Sequence, residues 1–230
     1  LQRMYVNQER VFYYLTLMNE NYDQPALPEG AEEGIKRGMY LFNKDEKATV
    51  QLLGSGVILR EVIKAAKILR EEYQIHSNVY SVTSFNELAR DGMACEEYNR
   101  LHPLAQESKE PWVSQQLRGK DGIVVSATDH MRAYSEQIRG YLPDNRPFVA
   151  LGTDGYGRSD TRGNLRSYFG VDAAHIVVAT LKKLADEGEV DARLVKDAIS
   201  TFELDTDRPV AWAPQAVSEV QAVADYKEEH

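Results

Sequence analysis

The chain has 230 residues, of which 43% are hydrophobic, enough for one large domain or a domain with an appendage. A formal net charge of -9 argues against a nucleic-acid-binding surface. No run approaches the roughly 18 apolar residues of a membrane span. Cys95 is the single cysteine, which excludes a disulfide framework and a thiolate zinc site and suits a reducing cytoplasm.

In chain order, residues 11–18 (VFYYLTLM) come first, aromatic and β-branched and apolar on both faces, the pattern of a buried strand. Asn19, Glu20, Asn21 and Tyr22 follow it. Ligands gather beyond the carboxyl ends of strands in open α/β sheets, so this polar cluster fits a binding role; it also fits a turn closed by Asx hydrogen bonds. A lone strand makes no sheet, so residues 1–23 are expected to belong to a neighbouring domain. Leu1 is not a natural start, and the chain reads as a piece of something longer. Residues 29–43, with Glu32, Glu33, Lys36 and Arg37 set after Pro25 and Pro28, suggest a short helix or turn within a linker.

Residues 49–53 (TVQLL) predict a second strand, broken by Gly54-Ser55-Gly56. A helix follows, with Ile58, Leu59, Val62, Ile63, Ala66 and Leu69 on its apolar face and Arg60, Glu61, Lys64, Lys67 and Arg70 largely opposite. Ser55 is placed to cap that helix, and the glycines allow the turn. The glycine pair resembles part of a dinucleotide fingerprint. However, Leu59 stands where the third small residue belongs, and the next strand, residues 78–83, leads into Ser84 and Phe85 without the ribose-binding acid. A structural strand-to-helix turn accounts for it better.

Ser84 and Glu87 have capping-box spacing at a helix start. Arg90-Asp91-Gly92 is expected to end that turn, with residues 94–101 forming a second helical piece stopped at His102-Pro103. Residues 112–117 predict a short helix and 123–127 a strand. Residues 129–141 predict a helix with Met131, Tyr134 and Ile138 on one face, and residues 148–152 a further strand. A polar, glycine-bearing loop over 153–162 leads into a short helix, 164–169, ended by Gly170. Helices follow at 172–186, with Ile176, Val177, Thr180, Leu181 and Leu184 toward the core, and at 190–202. The tail carries Pro209 and Pro214, and 216–226 has the makings of a terminal helix.

Among chemically able side chains, none of the five histidines stands at ligand spacing with another. Cys95 sits among acids that raise a thiol pKa. Ser55 lacks the G-x-S-x-G of a nucleophile elbow, and Glu32-Glu33 and Glu96-Glu97 suit solvated faces. Arg158, Arg162 and Arg166 could grip a phosphate or carboxylate; Asp154 and Asp160 among them make an internal ion-pair network an equal reading. The residues alone therefore give an acidic, mainly parallel α/β domain with an extra strand from a neighbour and no self-contained active site.

Several phrases together resemble one family: YYLTLMNENY at 13–22, PALPEGAEEGIKRG at 25–38, VQLLGSG at 50–56, YSVTSFNELARDG at 80–92 and LGTDGYGRSDTRGNL at 151–165. They look like the C-terminal part of the homodimeric type of pyruvate dehydrogenase, over nearly all of the chain to about residue 204. The resemblance implies a transketolase-like, three-layer α/β/α domain with a mostly parallel, mixed five-stranded sheet. It implies the end of a pyrimidine-binding domain at 1–27, a linker at 28–48, the C-terminal domain at 49–204 and a tail at 205–230. In the whole enzyme it implies decarboxylation of pyruvate on thiamine diphosphate and Mg²⁺, then acetyl transfer to lipoyl groups of dihydrolipoyl acetyltransferase, by a cytoplasmic homodimer. The diphosphate motif G-D-G with its following asparagine is absent from this sequence. The chain is accordingly expected to bind no cofactor and to be inactive alone. Asn19 takes about the position of the phosphate-gripping arginine of transketolases, so Asn19, Glu20 and Asn21 are expected to border the substrate or lipoyl channel. The loop over 154–162 resembles a transketolase D-x-F-G-x-S segment, with Tyr156 for phenylalanine, and implies a dimer or interdomain contact. A docking module for the acetyltransferase and a nucleotide-binding domain are the competing readings.

Overall fold

A computed structural model describes residues 1–13, 21–23 and 25–213. The strand expected over 11–18 falls mostly outside these, as do Asn19, Glu20 and the helix expected over 216–226. Among the described residues, β1 (Met39–Asn43), β2 (Val50–Ser55), β3 (Ser77–Val82), β4 (Ile123–Ala127) and β5 (Phe148–Leu151) form one five-stranded sheet in the order β1-β3-β2-β4-β5. β2, β3, β4 and β5 run parallel, and β1 pairs antiparallel with β3 at one edge.

The α-helices among the described residues are α1 (Glu32–Arg37), α2 (Leu59–Tyr73), α3 (Phe85–Leu101), α4 (Trp112–Leu117), α5 (Ala133–Glu136), α6 (Arg162–Phe169), α7 (Ala173–Asp186) and α8 (Ala192–Thr201). β2 and β4 are buried at every position, which is why their sequences carry little charge: parallel strands are covered on both faces. Val50, Leu52, Val79, Val125 and Ala127 meet Val62 and Leu69 of α2, Ile176 and Leu181 of α7, and Val195 of α8. On the opposite face Leu53, Tyr80, Val82 and Val124 meet Leu88 of α3 and Val113 and Leu117 of α4. Full burial of a side chain such as Leu52, Leu53, Leu69 or Leu181 contributes roughly 1.5–3 kcal/mol. The result is the expected three-layer, mostly parallel α/β/α architecture.

Two buried amides knit the sheet together. Asn78 Nδ2 donates to Gln51 Oε1 at 3.0 Å, Gln51 Nε2 to the Asp121 carbonyl at 2.9 Å, and the Asp45 N–H to Asn78 Oδ1 at 2.9 Å. Each buried amide thus finds partners, as burial requires.

Five local expectations need correction. Residues 28–48, expected as a linker, carry α1 and the edge strand β1. β1 is anchored by Trp112 Nε1 donating to the Met39 carbonyl at 2.9 Å. Ser55 does not cap a helix: its hydroxyl donates to Thr128 Oγ1 at 2.7 Å. Glu61, assigned to the polar face of α2, is buried. The break expected at 90–92 is absent, and α3 runs unbroken for 17 residues. A Cβ at Gly92 would sit 2.5 Å from the Tyr141 ring, so glycine serves packing there and not a helix end. The helix expected over 129–141 is reduced to α5 and a 3₁₀ turn at Arg139–Tyr141, with Met131 and Tyr134 exposed. The Asp129 and His130 carbonyls, which a helix would use internally, accept instead from Thr153 Oγ1 at 2.7 Å and the Thr153 N–H at 2.9 Å.

Candidate functional site

The carboxyl ends of β2, β4 and β5 converge on one cleft. β2 ends at Ser55, tied to Thr128 just past β4; Thr128 is fully buried and also accepts from the His130 N–H at 3.2 Å. Thr153, just past β5, fixes residues 129 and 130 as described. These bonds hold the three strand ends in register and place Asp129 beside the 153–161 loop. The opposite wall is α6, capped by Thr161 Oγ1, which accepts from the Asn164 N–H, and closed by Gly170 in left-handed geometry. The cleft has a volume of about 360 Å³, with Val57, Ile58, Leu165, Phe169 and Val171 as its apolar lining.

The structure brings Arg158, Arg162 and Arg166 together on this cleft. Arg158 Nη2 donates to the Tyr168 hydroxyl at 2.9 Å, and the guanidinium lies 5.1 Å over the Tyr168 ring. Its Nε is buried with no hydrogen-bond partner among the described residues. Arg166 pairs with Glu61 at 3.1 Å and reaches the Tyr22 hydroxyl at 3.5 Å. Asp154 pairs instead with Arg132 at 3.5 Å, and Asp160 accepts from the Thr161 N–H at 2.6 Å and Asn164 Nδ2 at 2.8 Å. The carboxylate of the buried ion pair is therefore Glu61, from a helix 105 residues away in sequence. Sequence reasoning missed this residue, since nothing local separates it from the solvated acids of α2.

Glu61 also accepts from Lys64 Nζ at 3.0 Å and from the Ala173 N–H at 3.3 Å, so it joins α2, α6 and the start of α7. Next to it, burial alone would raise the Asp172 carboxyl. Hydrogen bonds from the His175 ring and the His175 N–H nevertheless hold it below the usual carboxylate value. Of the channel candidates, Asn21 is exposed, whereas Asn19 and Glu20 lie outside the described residues. The adjacent Tyr22 and Asp23 rest on the domain: Arg60 donates to the Asp23 carbonyl at 3.0 Å and lies 4.9 Å over the Tyr22 ring.

The glycine turn Gly54-Ser55-Gly56 has a packing explanation. A Cβ at Gly54 would lie 2.8 Å from the Leu59 Cα, so glycine is what lets α2 approach β2. Cys95 is buried, and burial followed by Asp91 pushes its thiol up, away from nucleophilic use. Among the described residues, no group of three or more His, Cys, Asp or Glu side chains is placed to hold a metal ion. Nor is any described helix long and apolar enough to cross a membrane.

The family model for the transketolase-like TK C-terminal domain matches residues 38–172. The pyruvate dehydrogenase E1 component of Pseudomonas aeruginosa is 50% identical over 210 residues, covering 90% of this chain and 24% of that protein. That of Escherichia coli K12 is 52% identical over 211 residues, covering 90% of this chain and 23% of that protein. The chain thus spans about a quarter of the length of the relatives it matches. Transketolase from Campylobacter jejuni aligns with a TM-score of 0.44 at 19% identity, over 70% of this chain and 20% of that one. The matched residues begin at the end of α1 and run through the whole sheet to the start of α7, and the chain belongs to the transketolase-like C-terminal domain family.

Proposed function

We propose that this chain is the C-terminal domain of a pyruvate dehydrogenase E1 component and serves it as scaffold. The observation that carries the reading is identity of 50–52% to proteins of that name over nine-tenths of the chain. In the whole enzyme, thiamine diphosphate with Mg²⁺ supplies the carbanion chemistry that decarboxylates pyruvate, and the acetyl group passes to lipoyl groups of dihydrolipoyl acetyltransferase. The sequence lacks the G-D-G motif that the family resemblance associates with that cofactor. No step of the reaction is therefore assigned to this domain.

Its contribution is positional. Tyr22, held against Arg60 and Arg166, seats the end of the N-terminal segment on α2 and α6. On this reading Asn19, Glu20 and Asn21 border the substrate or lipoyl channel of the whole enzyme. The 153–161 loop, with Tyr156 79% exposed, is offered to a neighbouring domain or to the second subunit of a cytoplasmic homodimer. The test is turnover. The folded chain, given pyruvate, thiamine diphosphate, Mg²⁺ and an artificial electron acceptor, is expected to release no CO₂ above background; steady decarboxylation by the chain alone would defeat the scaffold reading.

A further inference from the structure

We propose that residues 208–213 form a clasp that ties the two walls of the cleft together and holds the 153–157 loop against α6. The chain turns after α8, where the Asp207 N–H donates to Asp205 Oδ1 at 2.9 Å. Arg208 then grips the α6 wall: its Nη1 donates to the Ser167 carbonyl at 2.5 Å and to the Tyr168 carbonyl at 3.3 Å. The last carbonyls of a helix lack partners inside it and carry partial negative charge, so a guanidinium suits them. Pro209 comes next and biases Arg208 toward extended backbone, which leads the chain on toward the loop. There a Cβ at Gly155 would sit 2.6 Å from the Ala211 carbonyl oxygen, so only glycine lets the two backbones meet. The Ala213 N–H donates to the Val210 carbonyl at 2.8 Å, a turn that carries Trp212. The Arg132 guanidinium lies 5.4 Å over the Trp212 ring and pairs on its other side with Asp154 at 3.5 Å.

The loop needs such an outside contact. It is tied at one end by Thr153 and at the other by Arg158, whose Nη2 donates to the Tyr168 hydroxyl. Between those ties Gly155, Tyr156 and Gly157 are exposed, and two glycines in three residues leave the backbone many conformations. Asp154 and Gly155, the residues reached through Arg132 and Ala211, lie within that permissive stretch. The clasp itself is lightly held: Arg208, Ala211 and Ala213 are half-buried, whereas Pro209, Val210 and Trp212 are exposed. Segments with few buried contacts open at the low end of the stability range, well below global unfolding. The tail is therefore a control point. With the clasp seated, the loop is fixed and presents Tyr156 outward; with it lifted, the loop is freed and the cleft opens along that wall.

This proposal does not rest on the assignment to pyruvate dehydrogenase, because its readout is local opening of the chain itself. Two rates report it: native-state chymotrypsin cleavage after Tyr156, mapped by mass, and hydrogen exchange of the Thr153 amide, which donates to the His130 carbonyl. The amides of Leu52 and Leu53 in β2 serve as the global reference. Ending the chain at Asp207 is expected to raise both loop rates about tenfold, while the β2 amides keep their protection within about twofold. Ending it at Ala213, which keeps the clasp, should reproduce the parent. Arg208→Gln and Trp212→Ala, each removing one grip from the full chain, should raise the loop rates about threefold. If the chain ended at Asp207 does not fold, these two variants decide by the same readouts. Unchanged loop rates in the folded variants, an equal rise at the β2 amides, or a chain ended at Ala213 that opens as readily as one ended at Asp207 would overturn the proposal.

Discussion

Glu61 concentrates the energetic risk of the domain at one carboxylate. Its side chain is 6% exposed, that of Arg166 18%, and the two are joined at 3.1 Å. Removing one partner of such a pair strands the other's charge, so Glu61→Ala is expected to cost about 3 kcal/mol or more in urea unfolding. Replacing both, as Glu61→Leu with Arg166→Met, should return much of that loss, since the desolvation penalty disappears with the charges. Within the sheet domain, acid sensitivity sits at Asp172 and Asp45. Asp172 is held low against its burial by His175, and Asp45 is held low chiefly by the His76 ring, 2.7 Å away. A folded-state pKa below the free value of about 3.9 means that the unfolded chain takes up protons first. The stability from these groups is therefore complete above about pH 5 and is lost as pH falls through their depressed values. Asp172→Asn should flatten the acid limb of stability against pH, below about pH 5. An equally steep acid limb in that variant would contradict the assignment.

Between elements, the contact of β2 with α2 leaves no room for a side chain at Gly54, where the obstacle to a Cβ is the Leu59 backbone rather than a flexible side chain. Gly54→Ala is therefore expected to destabilise by about 1–3 kcal/mol, the usual cost of overpacking, measured as a fall in the urea midpoint. At the antiparallel edge, Asp91 ties three elements: it pairs with Arg37 at 3.3 Å and accepts from the Trp112 N–H, the first of α4, at 2.5 Å. Asp91→Ala should cost about 1–2 kcal/mol as a lost helix-end acceptor. The buried parallel strands and α7 were legible in the sequence, because apolar runs and a 3.6-residue stripe are local signals. Residues 39–43 were not, because a short edge strand flanked by glycine and charged residues has the composition of a linker, and its pairing with β3 is not local. The 129–141 segment carries a helical stripe, but the bonds from Thr153 across the sheet end compete with helix hydrogen bonds for its carbonyls. At the cleft the three arginines were readable from their spacing, whereas the partner of Arg166 was set by tertiary packing.

At the scale of the molecule, the sheet, the helices on its two faces and the seated Tyr22 make one body, with the carboxyl ends of β2, β4 and β5 at the arginine cleft. Such a body can orient neighbouring domains without performing chemistry, which is the claim tested most directly by exchange. In the Escherichia coli pyruvate dehydrogenase E1 component, the segment that this chain matches at 52% identity would be replaced by this chain, and decarboxylation of pyruvate and dimer mass would be measured on the purified chimera. The account predicts a folded dimer that retains pyruvate decarboxylation within about tenfold of the parent, with activity lost when the same segment is deleted. A folded, dimeric chimera with no decarboxylation, or a deletion that stays fully active, would contradict it.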